Sequence, residues 1–205
     1  MVAVELVFTE RRADLTRDRA RNLERLRALV EEMSGEPVAT SHYEEVDGVR
    51  LERAEAIVLS GSTAAWASRD AGELARLGEA VLEAERPTLG ICAGMQLLTR
   101  FAGGAIELGA SVEHGFLPIR VHDRSGLLRA LPEDAVVFQD HTDEIVVLPE
   151  GFRILASSEA CAVQAFADPG RRWWGTQFHP EESTAEHPHG AGVLEAFFGL
   201  ASSII

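Results

Sequence analysis

Pro87-Thr88-Leu89-Gly90-Ile91-Cys92-Ala93-Gly94-Met95-Gln96 reads as a buried strand, a sharp turn and the start of a helix. An apolar run ends at Ile91, glycines stand two residues to either side of Cys92, and a helix-like run continues from Met95 to Phe101. Such a strand-to-helix turn holds its central side chain in a strained, exposed position, and glycines make room around it. At a helix N-terminus the dipole and free N–H groups favour a thiolate. Cys92 is therefore a candidate nucleophile.

Working outward, residues 54–60 (AEAIVLS) form an apolar strand that ends at Gly61, and residues 70–84 read as a helix. Upstream lie a strand over residues 2–8, an amphipathic helix over 16–33 and a short strand over 36–41. Leu23, Leu26, Val30 and Met33 make that helix's apolar stripe, and Ser34-Gly35 stops it. Strands alternating with helices imply a parallel sheet covered on both faces. Past Gly103 the texture changes to short β-like segments at 117–122, 135–138, 144–147, 153–157, 162–167 and 173–177, separated by turn signals. Residues 190–200 close the chain as a helix. The expected fold is α/β: a mostly parallel central sheet with helices on both faces and a small antiparallel add-on. Residues 1–205 are expected to form one domain.

Composition narrows the function. The hydrophobic share of 46% and charged share of 25% are those of a globular protein. A formal net charge of -14 argues against non-specific nucleic-acid binding and against an anionic membrane surface. The sequence contains no lysine, which excludes Schiff-base and P-loop chemistry. Two cysteines, Cys92 and Cys161, point to a reducing compartment. The N-terminus lacks a signal-like pattern and no run is long enough to span a membrane, so a cytoplasmic protein is expected.

A thiol needs a base. Gly175-Thr176-Gln177-Phe178-His179-Pro180-Glu181 supplies one, together with a carboxylate two residues on. Cys92 would be nucleophile, His179 general base and then acid, and Glu181 the group that fixes the imidazole. The oxyanion of an acyl-transfer step needs N–H donors. Ala93, next after the nucleophile, is one candidate; the turn Leu59-Ser60-Gly61-Ser62 offers the other at Gly61. Both turns follow parallel strands, at whose carboxyl ends ligands bind.

GICAGMQ, GTQFHPE and LSGS together resemble the class I (triad) glutamine amidotransferases, over residues 54–200. The resemblance implies a flavodoxin-like amidotransferase fold. It also implies hydrolysis of the L-glutamine side-chain amide through a thioester, with ammonia passed to a synthetase, here expected as a separate ATP-dependent polypeptide. By position Cys92, His179 and Glu181 match the triad, Gly61 and Ala93 the oxyanion donors, and Gln96 the glutamine-binding residue. The segment 148–165, and Gln139-Asp140-His141-Thr142-Asp143-Glu144-Ile145, look like the corresponding parts of GMP synthase glutaminase domains. There the backbone of the loop at Asp140, His141 and Thr142 meets the substrate's α-amino and carboxylate groups. Ala93, Ser62, Asp140 and Thr142 depart from the family pattern, and the opening strand lacks a Gly-Gly-Gln-Tyr-like segment. An anionic Asp140 would weaken binding of a carboxylate unless it points away or pairs with the α-ammonium.

Two other functions fit these residues: a stand-alone hydrolase of γ-glutamyl amides or peptides, and a non-catalytic protein that binds glutamine or a partner. No metal or cofactor is expected. His187 and His189 beside Glu182 and Glu186 read as solvated loop residues, and Cys161 as core. His141 between Asp140 and Asp143 reads as part of a pocket loop rather than a second dyad.

Overall fold

A computed structural model describes residues 2–46 and 48–203. Its first half alternates β1 (Val2–Phe8), α1 (Arg17–Ser34), β2 (Val38–His42), α2 (Gly48–Arg53), β3 (Ala54–Leu59), α3 (Ala71–Ala84), β4 (Thr88–Ile91) and α4 (Ala93–Phe101). The second half is mainly strands: β5 (Ala105–Glu107), β6 (Glu113–Val121), β7 (Asp134–His141), β8 (Glu144–Val147), β9 (Arg153–Ser157), β10 (Ala165–Asp168) and β11 (Trp173–Thr176). It closes on α5 (Ala191–Ser202).

Nine strands make one sheet in the order β2-β1-β3-β4-β11-β10-β9-β6-β7. The strands from β2 to β11 in that order run parallel. Every pairing beyond β11 is antiparallel. The α/β class and the parallel centre are as expected from the sequence. The antiparallel segments continue the same sheet, while β5 and β8 pair as a separate antiparallel ribbon.

Period-2 alternation sorts the strand residues between two cores. Ala56 and Val58 of β3 pack with Leu23, Leu26 and Val30 of α1 and with Val193, Leu194 and Phe197 of α5. Ile57 and Leu59 pack on the other face with Leu51 of α2, Leu77 and Val81 of α3, and Met95 and Leu98 of α4. Helices therefore cover both faces of the parallel part. Local signals set their ends: Thr16 accepts from the Arg19 N–H (3.1 Å), Asp70 accepts from the Glu73 N–H (2.9 Å), and Gly35 closes α1 at φ 68.

Two elements escape the sequence pattern. α2 contributes only Leu51 to the core, and β5 is three residues long, so neither carries a readable period. The strand expected over 162–167 begins only at Ala165. One residue before it the ladder bonds persist, with the Gln164 N–H on Ala156 O of β9 (2.9 Å) and the Gln177 N–H on Gln164 O (2.8 Å).

The topology delivers three chain ends to one place. Leu59 pairs with Gly90, and Ile91 pairs with Thr176. The Cys92 N–H then donates to Thr176 O at 2.7 Å, which continues the β4–β11 ladder by one bond. Gly61, Cys92 and His179 all lie just past these adjacent carboxyl ends.

Candidate active site

Cys92 stands between β4 and α4 with φ 48 and ψ -107, a left-handed backbone conformation costly for a residue with a Cβ. The turn is tight enough to exclude side chains nearby. A Cβ on Gly90 would lie 2.5 Å from the Gly94 carbonyl carbon and the Met95 nitrogen, and one on Gly94 would strike the Leu59 carbonyl. The strained elbow read from the glycine spacing is present, but its side chain is buried rather than exposed, with Cys92 only 5% accessible.

His179 follows β11, its N–H fixed to Phe138 O at 2.8 Å. Its Nδ1 lies 2.8 Å from Glu181 Oε1, and both side chains are only 12% exposed. A carboxylate accepts here, so Nδ1 carries the proton and Nε2 is left as the basic nitrogen. Nε2 is buried without a hydrogen-bond partner among the described residues. Burial alone would lower the imidazole pKa; the Glu181 charge, the Cys92 thiol and the Glu181 hydrogen bond outweigh it and hold the pKa well above 6.5. Cys92 thus faces His179 within electrostatic reach, without a bond that meets hydrogen-bond geometry.

Gly61 lies between the two. A Cβ there would sit 2.8 Å from His179 Cε1 and 3.6 Å from Cys92 Cβ. Gly61 O receives Arg19 Nη2 (2.7 Å), Ser60 Oγ (2.8 Å) and Thr9 Oγ1 (3.2 Å). Ala93 opens α4 directly after the thiol.

A cavity of about 390 Å³ opens over the thiol, lined by Cys92, Ala93, Gln96, Ser62, Arg69 and the loop 140–143. Gln96 gives its Nε2 to Asp143 O (3.1 Å) and Gln177 Oε1 (2.9 Å), and Gln177 Nε2 reaches Cys92 Sγ at 3.5 Å. The Gln96 carbonyl oxygen has no protein donor among the described residues.

The loop turns backbone rather than side chains towards the thiol. The Asp140 carboxylate turns outward to His114 Nδ1 (3.1 Å), and its backbone carbonyl is what approaches Cys92 Sγ, at 3.9 Å. His141 is buried: Nε2 meets Glu113 Oε2 at 3.0 Å and Nδ1 meets Asp143 O at 3.2 Å. Burial lowers its pKa against the pull of Glu113. Only the backbone of His141 can therefore line the cavity. Thr142 Oγ1 donates to Asp143 Oδ1 (3.1 Å).

Glu113, His141 and Cys161 form a buried cluster with donor atoms within 4.8 Å of one another. Gln164 Nε2 already fills Glu113 Oε2 (2.6 Å), burial pushes the Cys161 thiol up to about 12, and that thiol donates to Val163 O (3.6 Å). The arrangement is a hydrogen-bonded network that backs the loop. His189 is likewise spoken for, accepting the Val136 N–H at 2.8 Å, and His187 stacks on Phe116.

Three residues at the site carry no local signal in the sequence. Gln177 lies inside GTQFHPE, but nothing in the local sequence marks its contact with Gln96 and Cys92. Arg69 brings a cation into the cavity, held to Thr9 O (2.9 Å) and over Trp66, with burial lowering its pKa. Arg19 reaches the site from α1, 42 residues from its partner Gly61.

The family model for glutamine amidotransferase class-I matches residues 20–199. The chain is 40% identical over 126 residues to the glutamine-hydrolyzing GMP synthase of Bacillus subtilis, covering 61% of this chain and 24% of that protein. It thus spans about a quarter of that relative's length. It is 38% identical over 130 residues to a glutamine-hydrolyzing GMP synthase subunit of Methanoculleus marisnigri, covering 63% of this chain and 70% of the relative. In fold it is similar to the crystal structure of a candidate GMP synthase subunit from Thermoplasma acidophilum, with TM-score 0.82, 24% identity, and coverage of 100% of this chain and 96% of that one.

Proposed function

Because the chain belongs to the class-I glutamine amidotransferase family, we propose that it hydrolyses the side-chain amide of L-glutamine through a thioester on Cys92. The ammonia then passes to a separate ATP-dependent synthetase of the GMP synthase kind. The observation that carries the chemistry is the 2.8 Å contact of His179 Nδ1 with Glu181 Oε1. Nδ1–H is committed to Glu181, and the basic Nε2 is buried, without a partner among the described residues, and turned to a thiol on a strained elbow.

Each step uses groups already in place. Nε2 takes the thiol proton as Sγ attacks the amide carbon of the substrate. The N–H of Ala93 and the turn at Gly61 receive the oxyanion. The intermediate collapses as the imidazolium protonates the leaving nitrogen, which departs as ammonia. Nε2 then deprotonates a water that attacks the thioester, releasing glutamate and restoring the thiol. Gln96 Oε1 and the carbonyls of the loop 140–143 offer acceptors for the α-ammonium, and Arg69 offers a cation for the α-carboxylate.

A separate synthetase is favoured by the relative from Methanoculleus marisnigri, which is itself one subunit of a GMP synthase, matched over 70% of its length. A cytoplasmic setting accords with two free thiols. No helix among the described residues is long and apolar enough to cross a membrane.

The test compares wild type with Cys92→Ser in glutaminase turnover and in labelling by a chloroketone analogue of glutamine. Wild type should be labelled once per chain and the variant not at all. Equal labelling of the two sinks the nucleophile assignment, and ammonia release from short γ-glutamyl peptides exceeding that from glutamine would favour the stand-alone hydrolase instead.

A further inference from the structure

We propose that Arg19 and Glu10, which precede the segment matched by the family model, are positioning residues that set the turn Gly61-Ser62-Thr63 so that its N–H groups face the amide carbonyl under attack. The inference rests on the thioester reading and adds a device to it.

The pair holds all three residues of the turn. Arg19 Nε donates to Glu10 Oε2 (2.6 Å) and its Nη2 to Gly61 O (2.7 Å). Glu10 Oε1 accepts the Thr63 N–H (2.5 Å), Thr63 Oγ1 (2.9 Å) and Ser62 Oγ (3.2 Å). The Glu10 side chain is 4% exposed and that of Arg19 19%. Glu10 is anchored in turn, its carbonyl meeting His42 Nδ1 at 2.7 Å.

Peptide geometry gives the pair its effect. In a trans peptide the C=O and the following N–H point in opposite directions. Arg19, together with Ser60 Oγ and Thr9 Oγ1, holds Gly61 O, on the side where Thr16 and Arg19 line a cavity of about 270 Å³ that also reaches His179 and Glu181. The Ser62 N–H is thereby sent the other way, towards the cavity that Ser62 shares with Cys92 and Ala93. Neither the Gly61 nor the Ser62 N–H has a protein acceptor among the described residues. A buried ion pair is a weak source of net stability, because both charges lose their water. This one is placed where, with the Ser60 and Thr9 hydroxyls, it holds the orientation of the Gly61–Ser62 peptide. The planar guanidinium matters, since one fork must reach a carboxylate and a carbonyl together.

The experiment uses the full chain with Arg19→Met, Arg19→Lys and Glu10→Gln, and four readouts: kcat and KM for glutamine, chloroketone labelling, iodoacetamide alkylation and thermal melting. Iodoacetamide reacts at the thiol without an oxyanion, so it separates a misplaced turn from a damaged nucleophile. Arg19→Met should lower kcat and the maximal chloroketone rate together, by about 10- to 100-fold, below the loss from deleting a donor outright. KM should stay within about threefold and iodoacetamide alkylation should be unchanged. Arg19→Lys keeps the charge opposite Glu10 but loses the fork, so it should keep the melting temperature and still lose kcat; Glu10→Gln should fall between. The proposal is overturned if kcat stays within about threefold in Arg19→Lys and Arg19→Met while wild type is active. It is equally overturned if kcat, iodoacetamide rate and melting temperature fall in parallel in every variant. A wild type that neither turns over glutamine nor takes the label overturns the thioester reading itself, and that shows before any variant is measured.

Discussion

Gly61→Ala isolates the geometry of the Cys92–His179 pair. The Gly61 backbone is outside the left-handed region, so alanine is allowed there, and the new atom is the whole perturbation. It would lie 2.8 Å from His179 Cε1. Carbon atoms pack at about 3.5 Å, so the imidazole must retreat by about 0.7 Å (3.5 less 2.8). Retreat is resisted, because Nδ1 is bonded to Glu181 and the His179 N–H to Phe138 O. A misplacement near 1 Å costs about 100-fold, so kcat should fall by about 30- to 100-fold, or about 2 to 2.7 kcal/mol of barrier. Stability should change little: the entropic gain of Gly→Ala, about 0.4–1 kcal/mol, partly offsets the crowding, and the melting temperature should move by about 2–4 °C at most. Steady-state ammonia release gives kcat, and iodoacetamide alkylation reports whether Cys92 itself is intact. A kcat within threefold of wild type would refute the close packing of Gly61 against the imidazole. So would a loss of kcat matched by collapse of the melting temperature.

Glu181→Gln removes the charge that lifts the His179 pKa, so the pKa should fall towards 6.5 and kcat should drop by about 100- to 10,000-fold. A raised folded-state pKa adds stability below the unfolded value, and that stability is lost as pH rises through the folded value. The wild type's stability advantage over this variant should therefore be largest below about pH 6.5 and shrink with alkalinity; an advantage that grows with pH contradicts the assignment. Arg69→Gln should raise KM for glutamine by about tenfold or more with kcat within about threefold, because it removes binding common to ground and transition states; an unchanged KM removes Arg69 from substrate binding. Cys161, pushed up to about 12, should stay unreactive in the folded protein, so mass spectrometry after iodoacetamide at pH 8 should find one alkylated thiol, Cys92, and two after denaturation. Two in the folded state would show that Cys161 is accessible.

What was legible in the sequence is what local chemistry dictates. The elbow at Cys92 needs small residues on both sides, and only glycine at 90 and 94 meets that need, so residue type announces the turn. His179 and Glu181 are two apart, and their bond closes within one short segment. The α1 and α3 ends carry their own caps at Thr16 and Asp70. The parallel centre followed from strand–helix alternation, and it alone explains how Cys92 and His179 meet: β4 and β11 are sheet neighbours, and the last bond of their ladder ends on Cys92. What was not legible depends on packing between segments with no shared period. Arg19, Glu10 and Arg69 are ordinary surface-type residues by sequence, and only the fold turns them on the turn at Gly61 or into the cavity. α2 and β5 are too short to carry a pattern.

The loop at Asp140 shows the same divide within one residue. By residue type, a carboxylate beside a substrate's own carboxylate predicts repulsion. In the structure the side chain and the backbone of Asp140 face opposite ways: the carboxylate meets His114 at the surface, and the carbonyl meets Cys92. Strand alternation produces this division, since Asp140 and His141 are consecutive at the end of β7 and must point to opposite faces. His141 takes the inward place, where Glu113 and the Asp143 carbonyl hold it, so Asp140 is left pointing out. A backbone-built wall tolerates a changed side chain so long as the neighbour that anchors it is kept. The buried His141–Glu113 pair, rather than the identity of residue 140, is then what keeps the wall of the thiol cavity in register with Gln96, whose amide ends on the same Asp143 carbonyl.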